Sequence, residues 1–133
     1  MGKSTVAELV EERNTMREEA LARVKAAIDA DPTSPHRMAT LARIALMGQW
    51  YFQHSFTDRY GIPPGRYVTL ARFAVMRDLL ETTNLPIRAV IYDAGFSSLG
   101  TSATNFKRRV GCSPTDYRMW AAYARELGRP TQP

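Results

Sequence analysis

The sequence predicts an all-α protein of about seven helices, on three observations. Apolar residues recur at helical spacing along most of the chain. No segment keeps the period-two alternation of a half-buried strand. A unit of short helix, tight turn and second helix occurs twice.

Taken in order, residues 4–30 read as helix: Thr5 followed by Glu8 fits a capping box, and Leu21, Val24 and Ile28 form an apolar stripe. The polar run Glu11-Glu12-Arg13-Asn14-Thr15 interrupts that stripe, so residues 1–16 are expected to be a loosely attached arm and the packed helix to run from Arg17 to Ala30. Asp31-Pro32-Thr33-Ser34-Pro35 is a turn, because proline disfavours helix at its own position and at the one before. Met38, Leu41 and Ala45 then give a short helix one apolar face, and a second helix follows from Gln49 to Arg59 with Phe52 and Phe56 one turn apart. Gly61-Ile62-Pro63-Pro64-Gly65 ends it, and a longer helix runs from Arg66 to Glu81 with Tyr67, Leu70, Phe73 or Ala74, and Leu80 inward. Pro86 opens the next short helix, whose inward face is Ile87, Val90 and Ala94. Gly95 turns the chain into a helix from Ser98 to Arg109, and Pro114 opens a last one through Tyr117 and Trp120. The expected organisation is an arm at 1–16, a first subdomain with the long helix at 17–82, a second at 83–126 and a disordered tail at 127–133.

The repeat is specific. Phe56, Gly61, Pro64 and Tyr67 are matched by Phe106, Gly111, Pro114 and Tyr117 fifty positions on. Upstream the offset is forty-nine, pairing Met38, Leu41, Ala42 and Met47 with Ile87, Val90, Ile91 and Phe96. One extra residue therefore lies between Phe96 and Phe106 in the second copy.

Composition narrows the function classes. With 44% apolar residues and 13 aromatics among 133, the chain can bury a real core. No run approaches the roughly 18 apolar residues of a membrane span. The start at Met1-Gly2-Lys3-Ser4-Thr5 has no apolar signal region, and a lone cysteine, Cys112, cannot close an internal disulfide, so a reducing cytoplasm is expected. Residues 1–31 hold seven acidic and five basic side chains, a net of −2, whereas 32–133 hold six and thirteen, a net of +7. A domain this cationic either attracts phosphate or anionic lipid at long range or carries its charge for solubility. His36 and His54 have no spaced carboxylate or cysteine cluster with which to hold a metal, and no phosphate-cradling glycine loop is present. Cys112 matches Ile62 in the repeat and reads as packing rather than as a nucleophile. No catalysis, cofactor or metal is expected.

The residues Gly61-Ile62-Pro63-Pro64-Gly65-Arg66-Tyr67, Arg72, Leu79 to Ile87, Ala94-Gly95-Phe96-Ser97-Ser98, Phe106 to Gly111 and Ser113 to Arg118 together resemble the DNA-binding domain of the AraC/XylS family of bacterial transcription regulators. The resemblance covers about Arg17 to Trp120. It implies two helix-turn-helix units bridged by the Arg66–Glu81 helix, with recognition helices that enter successive major grooves of double-stranded DNA on one face. The length is that of the stand-alone members, or of a detached domain.

Helical geometry assigns faces to the first recognition helix. At about 100° per residue, Phe52 and Phe56 share the core side while Trp50, His54 and Thr57 lie opposite, with Gln53 at the flank. An outward tryptophan either packs under the arm or the final helix, or touches thymine methyls and sugars; Gln53 can pair bidentately with adenine. The resemblance implies base contacts at Gln49, Trp50, Gln53 and His54, with His54 where the family commonly has arginine. In the second recognition helix Leu99, Phe106 and Val110 fall inward, leaving Thr101, Thr104 and Arg108 outward with Gly100 and Asn105 flanking. Base contacts are expected there from Thr101, Thr104 and Asn105. The family usually has an aromatic or aliphatic residue at the position of Ser102 and an arginine at that of Thr104, so this helix is the poorer reader. Leu46 stands for the usual turn glycine, and Gly48 for the usual serine cap, at a cost of a few tenths of a kcal/mol. DNA backbone contacts are expected from Arg37, Thr57, Arg66, Ser97, Ser98, Lys107 and Arg108; for Lys107 and Arg108 a solvated helix end is the plainer alternative. The rival to DNA-directed regulation is a degraded helix-turn-helix module whose partner is another regulator or RNA polymerase, favoured by Ser102, Thr104, Leu46 and the acidic arm.

Overall fold

A computed structural model of the chain describes residues 5–128. Among these, seven α-helices and no strand are found, as the sequence predicts: α1 (Val6–Ala30), α2 (Met38–Ile44), α3 (Gln49–Tyr60), α4 (Pro64–Thr82), α5 (Ile87–Asp93), α6 (Leu99–Val110) and α7 (Pro114–Glu126). They form two compact units. One comprises the chain through Asp31 with His36–Val68, the other Pro32–Pro35 with the chain from Thr69 onward. The division falls inside α4, so this helix belongs to both.

In the first unit α1 starts at an N-cap, Thr5, whose hydroxyl accepts from the Glu8 amide at 3.1 Å. The helix is unbroken through Glu11–Thr15: Glu11, Glu12 and Arg13 are good helix formers even where they face no core, and the weaker Asn14 and Thr15 are carried between them and the packed turns that follow. Its first buried residue is Ala20, followed by Leu21, Val24 and Ile28, which pack with α2 and α3. Leu41, Ala42, Ala45, Phe52, Phe56 and Val68 complete this core. Phe56 is central, meeting Phe52 edge-on with centroids 5.9 Å apart and Tyr67 at 5.8 Å. Burying side chains of this size is worth roughly 1.5–3 kcal/mol each before the entropy of ordering them. Tyr67 is half-buried and donates to Asp29 Oδ1 at 2.5 Å, which ties the start of α4 to the end of α1.

The second unit gathers Phe73, Met76, Leu80, Val90, Ile91, Ala94, Phe106, Tyr117 and Ala121. Phe73 rather than Ala74 faces inward, and Met76 joins it. Tyr117 is fully buried and its hydroxyl donates to Glu81 while Arg77 Nε donates to it at 3.2 Å. Arg118 Nη1 donates to Leu85 O at 2.7 Å and Nε to Leu80 O at 3.3 Å, so α7 grips the end of α4 and the segment that follows it. Ser113 caps α7, accepting from the Asp116 amide at 3.1 Å. Leu127 and Gly128 lie in a turn after α7; the rest of the expected tail, 129–133, falls outside the described residues, as does 1–4 of the expected arm.

Candidate nucleic-acid interface

The two copies of the repeat build the same turn. After α2 the Leu46 amide donates to Arg43 O and the Met47 amide to Ala42 O, each at 3.0 Å. After α5 the Gly95 amide donates to Tyr92 O at 3.0 Å and the Phe96 amide to Ile91 O at 3.2 Å. This paired bonding places a left-handed residue just beyond the helix. That residue is Leu46 (φ 57°) in one copy and Gly95 (φ 101°) in the other. Four residues separate α2 from α3 and five separate α5 from α6, so the extra residue of the second copy is accommodated after this turn. Glycine is required at the second turn on a further ground: a Cβ on Gly95 would lie 2.6 Å from Thr33 O and 2.9 Å from Arg72 Nε. Arg72 is held there by donating to Pro32 O at 2.8 Å and Ser34 O at 2.9 Å, with its guanidinium over the Phe96 ring.

The turn delivers α3 with Phe52, Ser55 and Phe56 buried. Gln49, Trp50, Gln53 and His54 are all exposed, while Thr57 is half-buried. Trp50 is 71% exposed and its ring partner is His54, with centroids 3.9 Å apart and planes inclined by 29°. His54 Nδ1 lies 2.8 Å from Trp50 O, and Thr57 Oγ1 donates to Gln53 O at 2.8 Å, so both side chains are steadied by the preceding turn of their own helix. Gly48 serves as the N-cap without a side-chain bond. Arg37 is exposed at the N-cap of α2, and Arg66 in the first turn of α4. Tyr51 and Arg43 lie outside the residues expected from sequence. Tyr51 is half exposed and hydrogen-bonds Arg17 of α1, whose guanidinium holds the phenol below the ordinary tyrosine pKa; only the packing of α1 on α3 reveals this. Arg43 is exposed in the last turn of α2, where a basic residue beside the turn was the available signal.

On α6, Thr101 and Thr104 are exposed and Asn105 is half-buried. Gly100 is exposed with open space where a side chain would stand. Ser97 and Ser98 are exposed at its N-terminus; Lys107, Arg108 and Arg109 are exposed in its last turn. Ser102 and Phe106 form the buried face. Leu99 was expected inward and is 39% exposed. As the first helical residue it sits off the end of the face that Ser102 and Phe106 define, where no further turn covers it. Cys112 is half-buried, and burial followed by the charge of Asp116 pushes its thiol pKa up, away from nucleophilic chemistry. No cluster of metal-ligating side chains occurs among the described residues.

A short basic-ended helix presented on a helix-turn-helix, with polar and aromatic side chains outward, is a shape for entering a groove of nucleic acid. Comparison with known proteins agrees. The family model described as a helix-turn-helix domain, of the AraC type, matches residues 41–119, and the chain belongs to that family. It is 40% identical over 83 residues to the HTH-type transcriptional regulator Rv1931c of Mycobacterium tuberculosis, an alignment covering 62% of this chain and 32% of that protein. It is 28% identical over 92 residues to the HTH-type transcriptional activator AarP of Providencia stuartii, covering 69% and 68%. The chain thus spans about a third of the length of Rv1931c. Among solved structures, the DNA-binding domain of AdpA, crystallised with a target DNA, superposes with a TM-score of 0.73 at 29% identity over 84% of this chain and 98% of that one. A probable AraC family regulator from Rhodopseudomonas palustris shares the fold with a TM-score of 0.72. No described helix is long and apolar enough to cross a membrane.

Proposed function

We propose that this chain is a sequence-specific DNA-binding regulator of transcription that acts in the cytoplasm and docks α3 and α6 in the major groove of double-stranded DNA. The observation that carries it is the outward face of α3: Gln49, Trp50, Gln53 and His54 stand exposed on a helix whose other face is locked by Phe52 and Phe56. Two solvent-facing aromatic rings stacked together on a cationic chain leave apolar and hydrogen-bonding surface unclaimed by the fold. Family membership and the DNA complex of AdpA support the same reading. The family is one of regulators, not of enzymes.

The roles divide by chemistry. Gln53 is long enough to pair bidentately with adenine, and Trp50 offers an apolar face to thymine methyls. On α6, Thr101, Thr104 and Asn105 are short and read little, so Lys107, Arg108 and the amides after Ser97 and Ser98 hold phosphate. Arg37, Thr57 and Arg66 do the same beside α3. Selection of duplexes from a random pool tests this. It is expected to return one sharply defined half-site and one weak one whose preference follows DNA shape. Gln53→Ala is expected to cost about 1–3 kcal/mol of discrimination at one or two base pairs, and Thr104→Ala almost none. Two equally sharp half-sites would refute the asymmetry. Failure to bind any duplex at low salt would refute the function and leave the protein-interaction module, with another regulator or RNA polymerase as partner.

A further inference from the structure

The stacked pair on α3 determines which kind of base edge His54 can read. A main-chain carbonyl only accepts hydrogen bonds, so the 2.8 Å contact between His54 Nδ1 and Trp50 O requires the hydrogen on Nδ1. In the neutral imidazole the other nitrogen, Nε2, is then a bare lone pair. Rotating the ring by half a turn would put Cδ2 in the place of Nδ1 and break that bond. The indole face 3.9 Å away holds the plane of the ring. The side chain is exposed, so this lone pair is open to a ligand. The second histidine is built the other way: His36 Nε2 lies 2.7 Å from Asp31 O, which calls for its hydrogen on Nε2.

An arginine at this place would present only donors, the pattern that pairs with O6 and N7 of guanine. An acceptor inverts the preference toward the exocyclic amines, N4 of cytosine and N6 of adenine. Adenine sets its own N7 lone pair beside that amine, where it would repel the imidazole lone pair; cytosine sets a C–H there. We infer that His54, held by Trp50 with its hydrogen on Nδ1, reads a cytosine through the N4 amine. The inference rests on the reading of the chain as a DNA-binding regulator and adds to it the polarity of one contact.

Two measurements test it. Long-range 1H–15N spectra of the 133-residue chain at neutral pH distinguish a protonated ring nitrogen from a bare one. The expected result is His54 bare at Nε2; His54 protonated at Nε2 overturns the inference. Selection from a random duplex pool is then run with the unaltered chain, His54→Ala and His54→Arg. The unaltered chain is expected to select a cytosine at one position, which His54→Ala leaves degenerate and His54→Arg turns to guanine. Replacing that cytosine by a pyrimidin-2-one nucleotide, which lacks the amine, is expected to weaken the unaltered chain about 5- to 20-fold and His54→Ala not at all. A selected pattern with no position that depends on His54, a His54-dependent guanine, thymine or adenine, or no loss on removing the amine overturns the inference while the DNA-binding function stands. An unaltered chain that selects no pattern overturns both.

Discussion

Leu46 and Gly95 occupy equivalent places in the two turns, yet only one of them is needed as it stands. Leu46 is 84% exposed at φ 57°, so its side chain contributes no packing and its backbone sits in a region that costs a non-glycine residue about 1–2 kcal/mol. Leu46→Gly relieves that strain, and the greater freedom of glycine in the unfolded chain takes back about 0.5–1 kcal/mol. The expected net gain is roughly 0.5–1 kcal/mol, read as a higher urea midpoint with an unchanged slope. Gly95→Ala is expected to lose about 2–4 kcal/mol, because the added carbon meets both Thr33 O and Arg72 Nε in addition to the left-handed φ. Equal effects of the two substitutions would show that the turns are not under the unequal constraint described. The need for glycine at 95 was legible only as a turn residue. Its close approach to Thr33 and Arg72 was not, since those atoms lie far away in sequence.

At the scale of elements, the helices and their faces were largely readable because they depend on neighbours three and four residues apart. The outward set on α3 follows from Phe52 and Phe56 alone. α4 was harder: a helix shared by two units carries two buried faces, so Tyr67 and Leu70 come out half-buried while Val68 and Met76 are buried. α1 raises a separate question. It is continuous from Val6, but Val6, Leu9, Val10 and Met16 are exposed and burial starts at Ala20. Its buried anchorage to α2 and α3 therefore lies in the second half, while the first half buries no side chain and meets Tyr51 through Arg17 near its end. Removing residues 1–15 is expected to move the melting temperature by no more than about 3 °C, measured by circular dichroism. A collapse in stability would show that the amino-terminal turns of α1 belong to the core.

For the whole molecule the governing quantity is charge: a net of +5, made of −2 over residues 1–31 and +7 over the remainder. Each phosphate neutralised releases a condensed counterion and adds about 0.9 to the log–log salt slope. With roughly six phosphate contacts for a domain of this size, the slope is expected near −5, measured by fluorescence anisotropy on a fixed duplex. Arg108→Ala is expected to weaken binding on every sequence and to flatten the slope by about 1. A slope near zero from low to moderate salt would exclude a major DNA footprint.

The seven helices, the repeated turn and the outward residues of α3 were legible in the chain, because capping, left-handed turn residues and amphipathic period are local properties. Packing alone settles that Leu99 is exposed, that Arg17 reaches Tyr51 and that Gly95 has no room for a side chain. Those outcomes depend on atoms distant in sequence that packing brings together. The orientation of the His54 ring stands between the two: its partner is one helical turn away, yet the hydrogen position follows from a rotamer and a stack that no pattern of residue types specifies.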